Sequence, residues 1–392
     1  MKTGKIQIVV LFLAVQLSVT AQGIIADHTC TDLSQVPIAA IQAAKAQLHI
    51  GYGFTSHGSQ IIGGMTGLVE FMNNKEGYPE NLFTFNRTGS DGALHLYEGD
   101  GYDSGDLDHD AGYYPDWVNE TRAFLGSANT DGRGSAHPTY NVIMWAWCGQ
   151  LSWYSSEDVS NYYLNEMTQL ESDYPGIIFV YMTGHSDGSG LEGMLHQNNQ
   201  KIREYCIKNN KALFDFYDIE CYDPDGHYYG DQYVSDDCSY ANGNWAQAWQ
   251  NSHTEGQDWY SCDAAHTEPI NANQKAYAIW WLWARLAGWD GGAGTTAVET
   301  GIQYPSQYQL EQNYPNPFNG TTSIRFALQQ SAHVKMRLYN SKGQLVSRVI
   351  DQLMAPDSYT VQVQMDQNPT GVYYYQLDAG TFHQTKSMVF TK

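Results

Sequence analysis

Two short runs built almost wholly from apolar residues, 140–147 and 177–182, constrain the fold of this chain most strongly. Both have the length of a β-strand, and both are too apolar to expose one face to water, as is typical of strands buried on both sides. Each run is followed by a segment whose apolar residues recur at helical spacing. Such strands alternating with helices predict a parallel sheet covered by helices, the α/β class.

The same alternation extends through much of the chain. Residues 50–61 (Ile-Gly-Tyr-Gly-Phe-Thr-Ser-His-Gly-Ser-Gln-Ile) predict a strand end, a tight turn and the start of a helix. Further strands are expected near residues 82–85, 93–96 and 212–217. Further helices are expected through residues 117–124, 159–170, 191–206 and 276–288. The Tyr-, Asp- and Gly-rich segment 220–263 is expected to be a long functional loop.

The two ends of the chain indicate export and a second domain. Lys2 and Lys5 precede an apolar run and small residues at Val19 and Ala21, which predicts a secretory signal peptide over residues 1–21. No other run reaches the roughly 18 apolar residues that cross a bilayer, so no transmembrane segment is expected. After a main domain over 22–290, a small, polar linker is expected over 291–306. The alternating apolar residues of 307–392 predict a small all-β, Ig-like sandwich.

Charge supports this division. The formal net charge is -22, and residues 22–304 hold eleven Lys and Arg against thirty-seven Asp and Glu. Residues 305–392 hold seven against five. So acidic a main domain argues against nucleic acid or an anionic membrane as its partner.

All the cysteines lie in the acidic domain: Cys30, Cys148, Cys206, Cys221, Cys238 and Cys262. In an exported protein they predict up to three disulfides, although six cysteines allow fifteen pairings and the sequence does not choose among them. Buried free thiols are the alternative.

Three segments of the tail carry a family resemblance. They are Leu-Glu-Gln-Asn-Tyr-Pro-Asn-Pro-Phe-Asn at 310–319, Gly-Val-Tyr-Tyr-Tyr-Gln-Leu at 371–377 and Lys-Ser-Met-Val-Phe-Thr-Lys at 386–392. Together they resemble the C-terminal sorting domain of the type IX secretion system of Bacteroidetes-type bacteria. The resemblance implies recognition by that secretion machinery and a secreted or outer-membrane surface-attached protein. An ordinary carbohydrate-binding sandwich is the alternative.

Residues at opposite ends of the main domain could form a catalytic site. Ser56 follows a predicted strand, at the sheet edge where loops and helix N-termini gather. Asp263 and His266 stand three residues apart just before the last helix. A carboxylate that holds one imidazole nitrogen leaves the other free to take a proton from a serine. The spacing therefore predicts a Ser56–His266–Asp263 triad, with Ser59 as a less favoured nucleophile.

This order of residues, serine first and Asp-x-x-His last, resembles the SGNH/GDSL-like hydrolases over residues 45–290. The resemblance implies a flavodoxin-like, three-layer parallel sheet and an oxyanion hole. Phe54-Thr-Ser56 replaces the usual Gly-Asp-Ser, and Gln150 stands where the family has an Asn. The backbone N–H of Ser56 and the amide of Gln150 are therefore the expected oxyanion donors, with Gly101 or Gly105 as candidate glycine donors. His185 follows another predicted strand and could contact the substrate.

The sequence thus predicts a secreted serine esterase or deacylase that acts on a carbohydrate or another extracellular ester, without a cofactor or a metal ion. Two alternatives remain. One is a non-catalytic, glycan-binding or adhesive surface protein on the same fold. The other is a metal-assisted hydrolase using His185, His266 and nearby aspartates. Asp223-Pro-Asp-Gly226 resembles the start of a calcium loop but lacks the closing Glu, which favours a solvated acidic loop.

Overall fold

The computed structural model describes residues 23–99, 106–291, 308–328, 332–354, 357–365, 368–380 and 382–391. The chain forms two compact units, divided between Gly294 and Thr295. The predicted signal peptide, nearly all of the predicted linker, Gly101 and Gly105 lie outside the described residues. The limits of the predicted domains remain predictions.

The first unit is built on a seven-stranded sheet in which every pair of neighbours is parallel. In chain order its strands are β1 (Ile25–Ala26), β2 (His49–Gly53), β3 (Phe85–Asn86), β4 (Leu94–Glu98), β5 (Val142–Trp145), β6 (Ile178–Met182) and β7 (Ala212–Phe214). Their order across the sheet is β1-β7-β6-β5-β2-β4-β3. All of β5 and all of β6 except Ile178 are buried, as the apolar runs predict. The α/β prediction is confirmed.

The five central strands lie in the order β4-β2-β5-β6-β7. Counted from β2, this is the 2-1-3-4-5 order of a doubly wound sheet. In such a sheet the chain leaves the first strand in one direction and later returns to its other side. Ligands bind at this switch point, outside the carboxyl ends of the strands. Here the switch point lies between β2 and β5.

Helices cover the sheet in two groups. The first contains α1 (Ile38–Gln47), α2 (Ser59–Asn73) and a long helix, α9 (Pro269–Leu286), on which α1 and α2 both pack. The second contains α3 (Asp116–Leu125), α4 (Ser156–Val159), a π-helical turn (Ser160–Leu164), α5 (Asn165–Asp173) and α6 (Met194–Lys208). Within the described residues, no helix is both long and apolar enough to cross a membrane.

Some elements differ from the prediction. Neither β1 nor α1 was expected, because β1 is two residues long and the alanine-rich α1 has no strong apolar stripe. The predicted strand 212–217 ends at Phe214, and the short helix α7 (Phe216–Glu220) follows, capped by Asp215. The segment 220–263 is not wholly irregular. It contains β8 (Ser239–Tyr240), β9 (Gly243–Asn244) and α8 (Trp245–Ser252).

The second unit consists of two antiparallel sheets, so the all-β prediction is confirmed. One sheet has the order β10-β11-β14 and the other β13-β12-β15-β16. The strands are β10 (Gln309–Leu310), β11 (Thr321–Leu328), β12 (Ala332–Asn340), β13 (Leu345–Met354), β14 (Asp357–Gln364), β15 (Gly371–Ala379) and β16 (Phe382–Phe390). Alternate residues such as Ile324, Phe326, Met336 and Leu338 point into one shared core.

Candidate active site

The chain leaves β2, β5 and β6 at the same edge of the sheet, and each exit supplies a side chain that can do chemistry. Ser56 and His57 follow β2, Cys148 follows β5 and His185 follows β6. Because β2 and β5 flank the switch point, these side chains gather where a doubly wound sheet binds its ligands.

The turn between β2 and α2 is held close to the end of β5. The Tyr52 hydroxyl donates to the carbonyl of Gly58 at 3.0 Å. A Cβ on Gly58 would come within 2.7 Å of the Cβ of Ala146 and 2.3 Å of that of Phe54. Only glycine fits such an approach. The close approach brings His57 beside Cys148.

Cys148, His57 and Asp236 form a hydrogen-bonded chain, which we call the Cys148 cluster. The Cys148 Sγ lies 3.2 Å from Nδ1 of His57, and Nε2 of His57 lies 3.0 Å from Oδ2 of Asp236. His57 is buried, with 6% of its surface exposed. The order of groups is that of a nucleophile, a base and an orienting carboxylate.

Asp236 reaches this position because its turn is pinned to the segment after β6. The amide of Gly188 donates to the carbonyl of Val234 at 3.0 Å, and Asp187 forms an isolated β-bridge with Ser235. Within the turn, the amide of Cys238 donates to the carbonyl of Ser235 at 2.9 Å. The long loop thereby delivers a carboxylate to a histidine 179 positions earlier in the chain.

The environment favours charge separation within the Cys148 cluster. Burial lowers the pKa of His57, but its hydrogen bonds with Asp236 and Cys148 outweigh burial and raise the pKa to about 9. Burial raises the pKa of the Cys148 thiol, but hydrogen bonds with His57 and Ser56 hold that pKa below its ordinary value. A thiol that loses its proton to a neighbouring imidazole becomes the stronger nucleophile.

His57 lies between two other imidazole rings. The His185 ring stacks on it with 3.7 Å between centroids and 4° between planes, and the His266 ring stacks at 4.5 Å and 15°. His185 is buried, and its Nδ1–H donates to the carbonyl of Ser186 at 2.6 Å. Its Nε2 is a buried atom without a hydrogen-bond partner among the described residues. Burial and the neighbouring His57 lower the pKa of His185, which favours the neutral ring.

The residues of the sequence-predicted triad are brought to the same edge but not into one chain. The Ser56 hydroxyl lies 3.6 Å from the sulfur of Cys148, and the ring of His266 stacks on His57. Among the hydrogen bonds of the described residues, none joins Ser56 to His266 or Asp263 to His266. The Ser59 hydroxyl donates to the carbonyl of Ser56 at 2.6 Å. The Ser56–His266–Asp263 triad therefore remains a prediction.

Gln150 lies beside Cys148, but its side chain has other partners. Its Oε1 accepts the backbone N–H of Cys148 at 3.2 Å, and its amide hydrogen-bonds Asp110. Asp110 also accepts from the Thr55 hydroxyl at 2.7 Å and from the Gly112 amide at 2.9 Å. In this arrangement Gln150 braces the loops after β2 and β5. Its role as an oxyanion donor stays a prediction.

A buried ion pair is hydrogen-bonded to residues next to the site. Glu220 and Lys275 are both fully buried, with 2.9 Å between Nζ of Lys275 and Oε1 of Glu220. Glu220 also accepts from the hydroxyl of Ser186, next to His185. Lys275 donates to Gln60, whose amide donates to the carbonyl of Ala265 at 2.6 Å, next to His266. The pair therefore ties together the loops that carry both outer imidazoles.

A cleft of about 760 Å³ runs along α2, and its lining residues do not include those of the Cys148 cluster. Phe54, Phe71 and Tyr260 contribute aromatic surface, and Glu70 and Asp263 are among its carboxylates. Ser59 also lines it, three residues from Ser56. Its volume is typical of a small-molecule site.

Three clusters of the described residues place ligand atoms close enough to hold a metal ion. They are His57 with His185 and Asp236, Asp27 with His28 and Asp218, and Asp223 with Asp225 and His227. In the last, a carboxylate oxygen of Asp223 accepts the backbone N–H groups of Asp225 and His227. That arrangement is a self-capped turn.

The predicted disulfides are not formed, because all six cysteines are free in the structure. The thiols have separate surroundings. Cys148 contacts His57, Cys238 contacts Asn271 and Thr267, and Cys262 contacts Asn273. The alternative of free thiols is therefore the one observed.

The sequence analysis does not predict the Cys148 cluster, although two of its members are close in sequence to predicted site residues. His57 follows Ser56, and Cys148 precedes Gln150 by two positions. Both follow strands at the carboxyl edge, and that rule could have selected them. Asp236 lies in an irregular loop, and no sequence signal identifies it.

Comparisons with known proteins identify the tail. Residues 312–391 match a family model described as a secretion system C-terminal sorting domain. The second unit is thus the type IX sorting domain that the sequence predicts, and it implies contact with that secretion machinery. The protein is secreted or attached to the outer-membrane surface.

The comparisons assign no family to the first unit. No curated protein matches the chain. Among solved structures, a Cellulomonas fimi endo-beta-1,4-mannanase double mutant has 11% identity and a TM-score of 0.21, over 76% of this chain and 55% of that one. The endo-beta-1,4-mannanase from Thermotoga petrophila has 9% identity and a TM-score of 0.21, over 64% and 47%. The chain spans about half the length of these structures, and at such TM-scores the likeness supports no conclusion.

Proposed function

We propose that the first unit is an exported hydrolase that cleaves esters through a covalent acyl-enzyme, with the Cys148 cluster as its catalytic residues. The observation that carries the proposal is the hydrogen-bonded chain from Cys148 through His57 to Asp236 at the switch point of the sheet. The exported location is consistent with an extracellular ester, such as an acyl group on a carbohydrate, as substrate.

In the proposed reaction the Cys148 thiolate attacks the ester carbonyl and forms a carbon–sulfur bond. The Ser56 hydroxyl, 3.6 Å from the sulfur, is placed to donate to the oxyanion that results. The tetrahedral intermediate collapses as the carbon–oxygen bond breaks and the His57 imidazolium gives its proton to the leaving alcohol. His57 then takes a proton from water, which attacks the thioester and releases the acid and the thiolate. Asp236 keeps the ring oriented throughout.

The SGNH-like interpretation is part of the proposal. The 2-1-3-4-5 order of the central strands and the position of Ser56 after β2 support it. Within the same chemistry, Ser56 could be the nucleophile and His266 its base, with Asp263 orienting the ring. That route requires the 262–266 segment to move until hydrogen bonds form, whereas the Cys148 cluster is already assembled.

The cleft along α2 is the proposed binding site for the rest of the substrate. Its aromatic rings offer faces for apolar or sugar-ring contacts, and its carboxylates can accept hydrogen bonds from hydroxyl groups. An ester group bound at Cys148 would lie beside the Ser56 hydroxyl, which is 3.6 Å from the sulfur. The carboxylates of the cleft favour a hydroxyl-rich alcohol or polymer as the leaving group.

Hydrolysis of p-nitrophenyl acetate by the full-length exported protein tests the proposal. We expect Cys148→Ala to lower kcat/KM at least about 1,000-fold, because the nucleophile is lost. Ser56→Ala should cost about 100-fold, as expected for one oxyanion donor. Cys206→Ala, which removes a buried thiol near the C-terminal end of α6, is the matched control.

Labelling identifies the nucleophile independently of the rates. Iodoacetamide and a fluorophosphonate probe are applied separately, and the modified peptide is located by mass spectrometry. Modification of Cys148 that abolishes ester hydrolysis supports the proposal. Fluorophosphonate on Ser56 with full activity in Cys148→Ala would instead support the Ser56–His266–Asp263 triad. If ester hydrolysis is unchanged in both variants, the Cys148 cluster is not the catalytic site. If no ester is hydrolysed, a non-catalytic surface protein is favoured.

A further inference from the structure

We propose that His57, His185 and Asp236 also form a binding site for a divalent transition-metal ion, with zinc as the best match. Their three ligand atoms all lie within 4.8 Å of one another. Two imidazoles and a carboxylate are a ligand set that zinc accepts, and they leave a fourth position open. The residues come from three separate segments, so the fold itself builds the site.

His185 gives the second, independent observation. Only 6% of its surface is exposed, and its Nε2 has no hydrogen-bond partner among the described residues. Its Nδ1–H donates to the carbonyl of Ser186, which leaves the lone pair on Nε2. A histidine that donates one ring N–H to a carbonyl and presents the other nitrogen is typical of metal ligation. A buried nitrogen without a partner is otherwise unfavourable.

Metal binding and the Cys148 cluster exclude one another. The rings of His57 and His185 stack with only 4° between their planes, and one ion cannot lie in both planes at once. One ring must therefore turn when an ion binds. The ion would also replace the 3.0 Å hydrogen bond between His57 and Asp236. Bound zinc should consequently inhibit hydrolysis, and this consequence rests on the proposed function, whereas the binding itself does not.

The other two clusters are weaker candidates. Asp223 already accepts two backbone N–H groups of its own turn, and His227 is largely exposed. Neither cluster includes a buried nitrogen that lacks a partner among the described residues.

Calorimetric titration of the metal-free, untagged full-length protein with zinc chloride tests the site. We expect one ion per chain. Two variants remove one proposed ligand each: His185→Gln, whose amide can still donate to Ser186, and Asp236→Asn, at a partly exposed position. Each should weaken zinc binding more than about 100-fold. That exceeds the usual effect of losing a residue that only hydrogen-bonds a metal ligand. His227→Gln is the matched control and should bind zinc as the parent does. Cobalt in place of zinc should give a ligand-field absorption band that both site variants lose.

The outcomes separate the two proposals. Absence of zinc binding, or binding kept by both His185→Gln and Asp236→Asn, overturns the metal site. Stoichiometric binding in a protein that hydrolyses no ester supports the site and contradicts only the proposed function. If the protein is active and zinc binds without inhibiting it, the mutual exclusion is wrong.

Discussion

The Cys148 cluster and the 262–266 segment bring the same kinds of groups to the same edge of the sheet, with different results. The cluster joins residues 57, 148 and 236 from three distant loops, and both of its hydrogen bonds are formed. The segment carries Asp263 and His266 only three positions apart. In the described structure no hydrogen bond joins these two side chains, and both are exposed.

Backbone conformation explains the difference. His266 has a φ of 63°, in the left-handed region, and the amide of Thr267 donates to the carbonyl of Ala264 at 3.0 Å. This turn sends the His266 ring onto His57 instead of onto Asp263. Short spacing therefore shows that two side chains could meet, whereas the turn between them decides whether they do. Burial also strengthens the hydrogen bonds of His57, because the local dielectric is low.

The largest expected effect comes from exchanging each carboxylate for its amide. Asp236→Asn should lower kcat about 100- to 10,000-fold, because an amide does not hold His57 in the required tautomer. Asp263→Asn should change kcat less than about tenfold. Steady-state kinetics on p-nitrophenyl acetate measures both. The reverse ranking would show that the 262–266 segment rearranges in the working enzyme and would reject the Cys148 cluster as the catalytic set.

Much of the framework behind this comparison could be predicted from the sequence. The apolar runs that form β5 and β6 predict the buried parallel sheet. The Gly- and Ser-rich turn after β2 predicts that Ser56 lies at the carboxyl edge of that sheet, where the structure has it. The tail was identified from motifs that span its length, and alternation gave its core residues.

The pairing of side chains could not be predicted, because it depends on loop paths. Asp236 reaches His57 only because its turn bonds to Gly188, and nothing in the local sequence reveals that contact. The cysteines were misjudged for a related reason. Export suggested disulfides, but their actual neighbours are His57, Asn271 and Asn273. Distance between elements, not composition, decides such contacts.

The second-largest expected effect concerns the buried Glu220–Lys275 ion pair. Lys275→Met should lower the free energy of unfolding by about 3–5 kcal/mol, because the buried Glu220 carboxylate loses its countercharge. Lys208→Met, an exposed lysine at the end of α6, should change it by less than about 0.5 kcal/mol. Chemical denaturation gives both values.

The double variant Lys275→Met with Glu220→Gln sharpens that measurement. Removing both charges should recover part of the lost stability, since no unpaired charge stays buried. If the single lysine variant is as stable as the parent, the pair does not brace the loops that carry His185 and His266.

The smallest expected effect separates the two regions most directly. A Cβ on Gly63 would lie 1.9 Å from the backbone oxygen of Asp263, so Gly63→Ala must displace the 262–266 segment from α2. Overpacking of this kind costs about 1–3 kcal/mol, and the better helix propensity of alanine offsets up to about 1 kcal/mol. Thr66→Ala, an exposed change on α2, is the control for stability.

Activity is the informative measurement for Gly63→Ala. If the Cys148 cluster performs the chemistry, kcat should fall less than about tenfold, because the hydrogen bonds that join Cys148, His57 and Asp236 do not involve the displaced segment. If Asp263 and His266 perform it, a shift of about 1 Å should cost about 100-fold. A 100-fold loss of kcat in folded Gly63→Ala would therefore show that the 262–266 segment is catalytic. A small loss would leave His266 as a ring that stacks on the base.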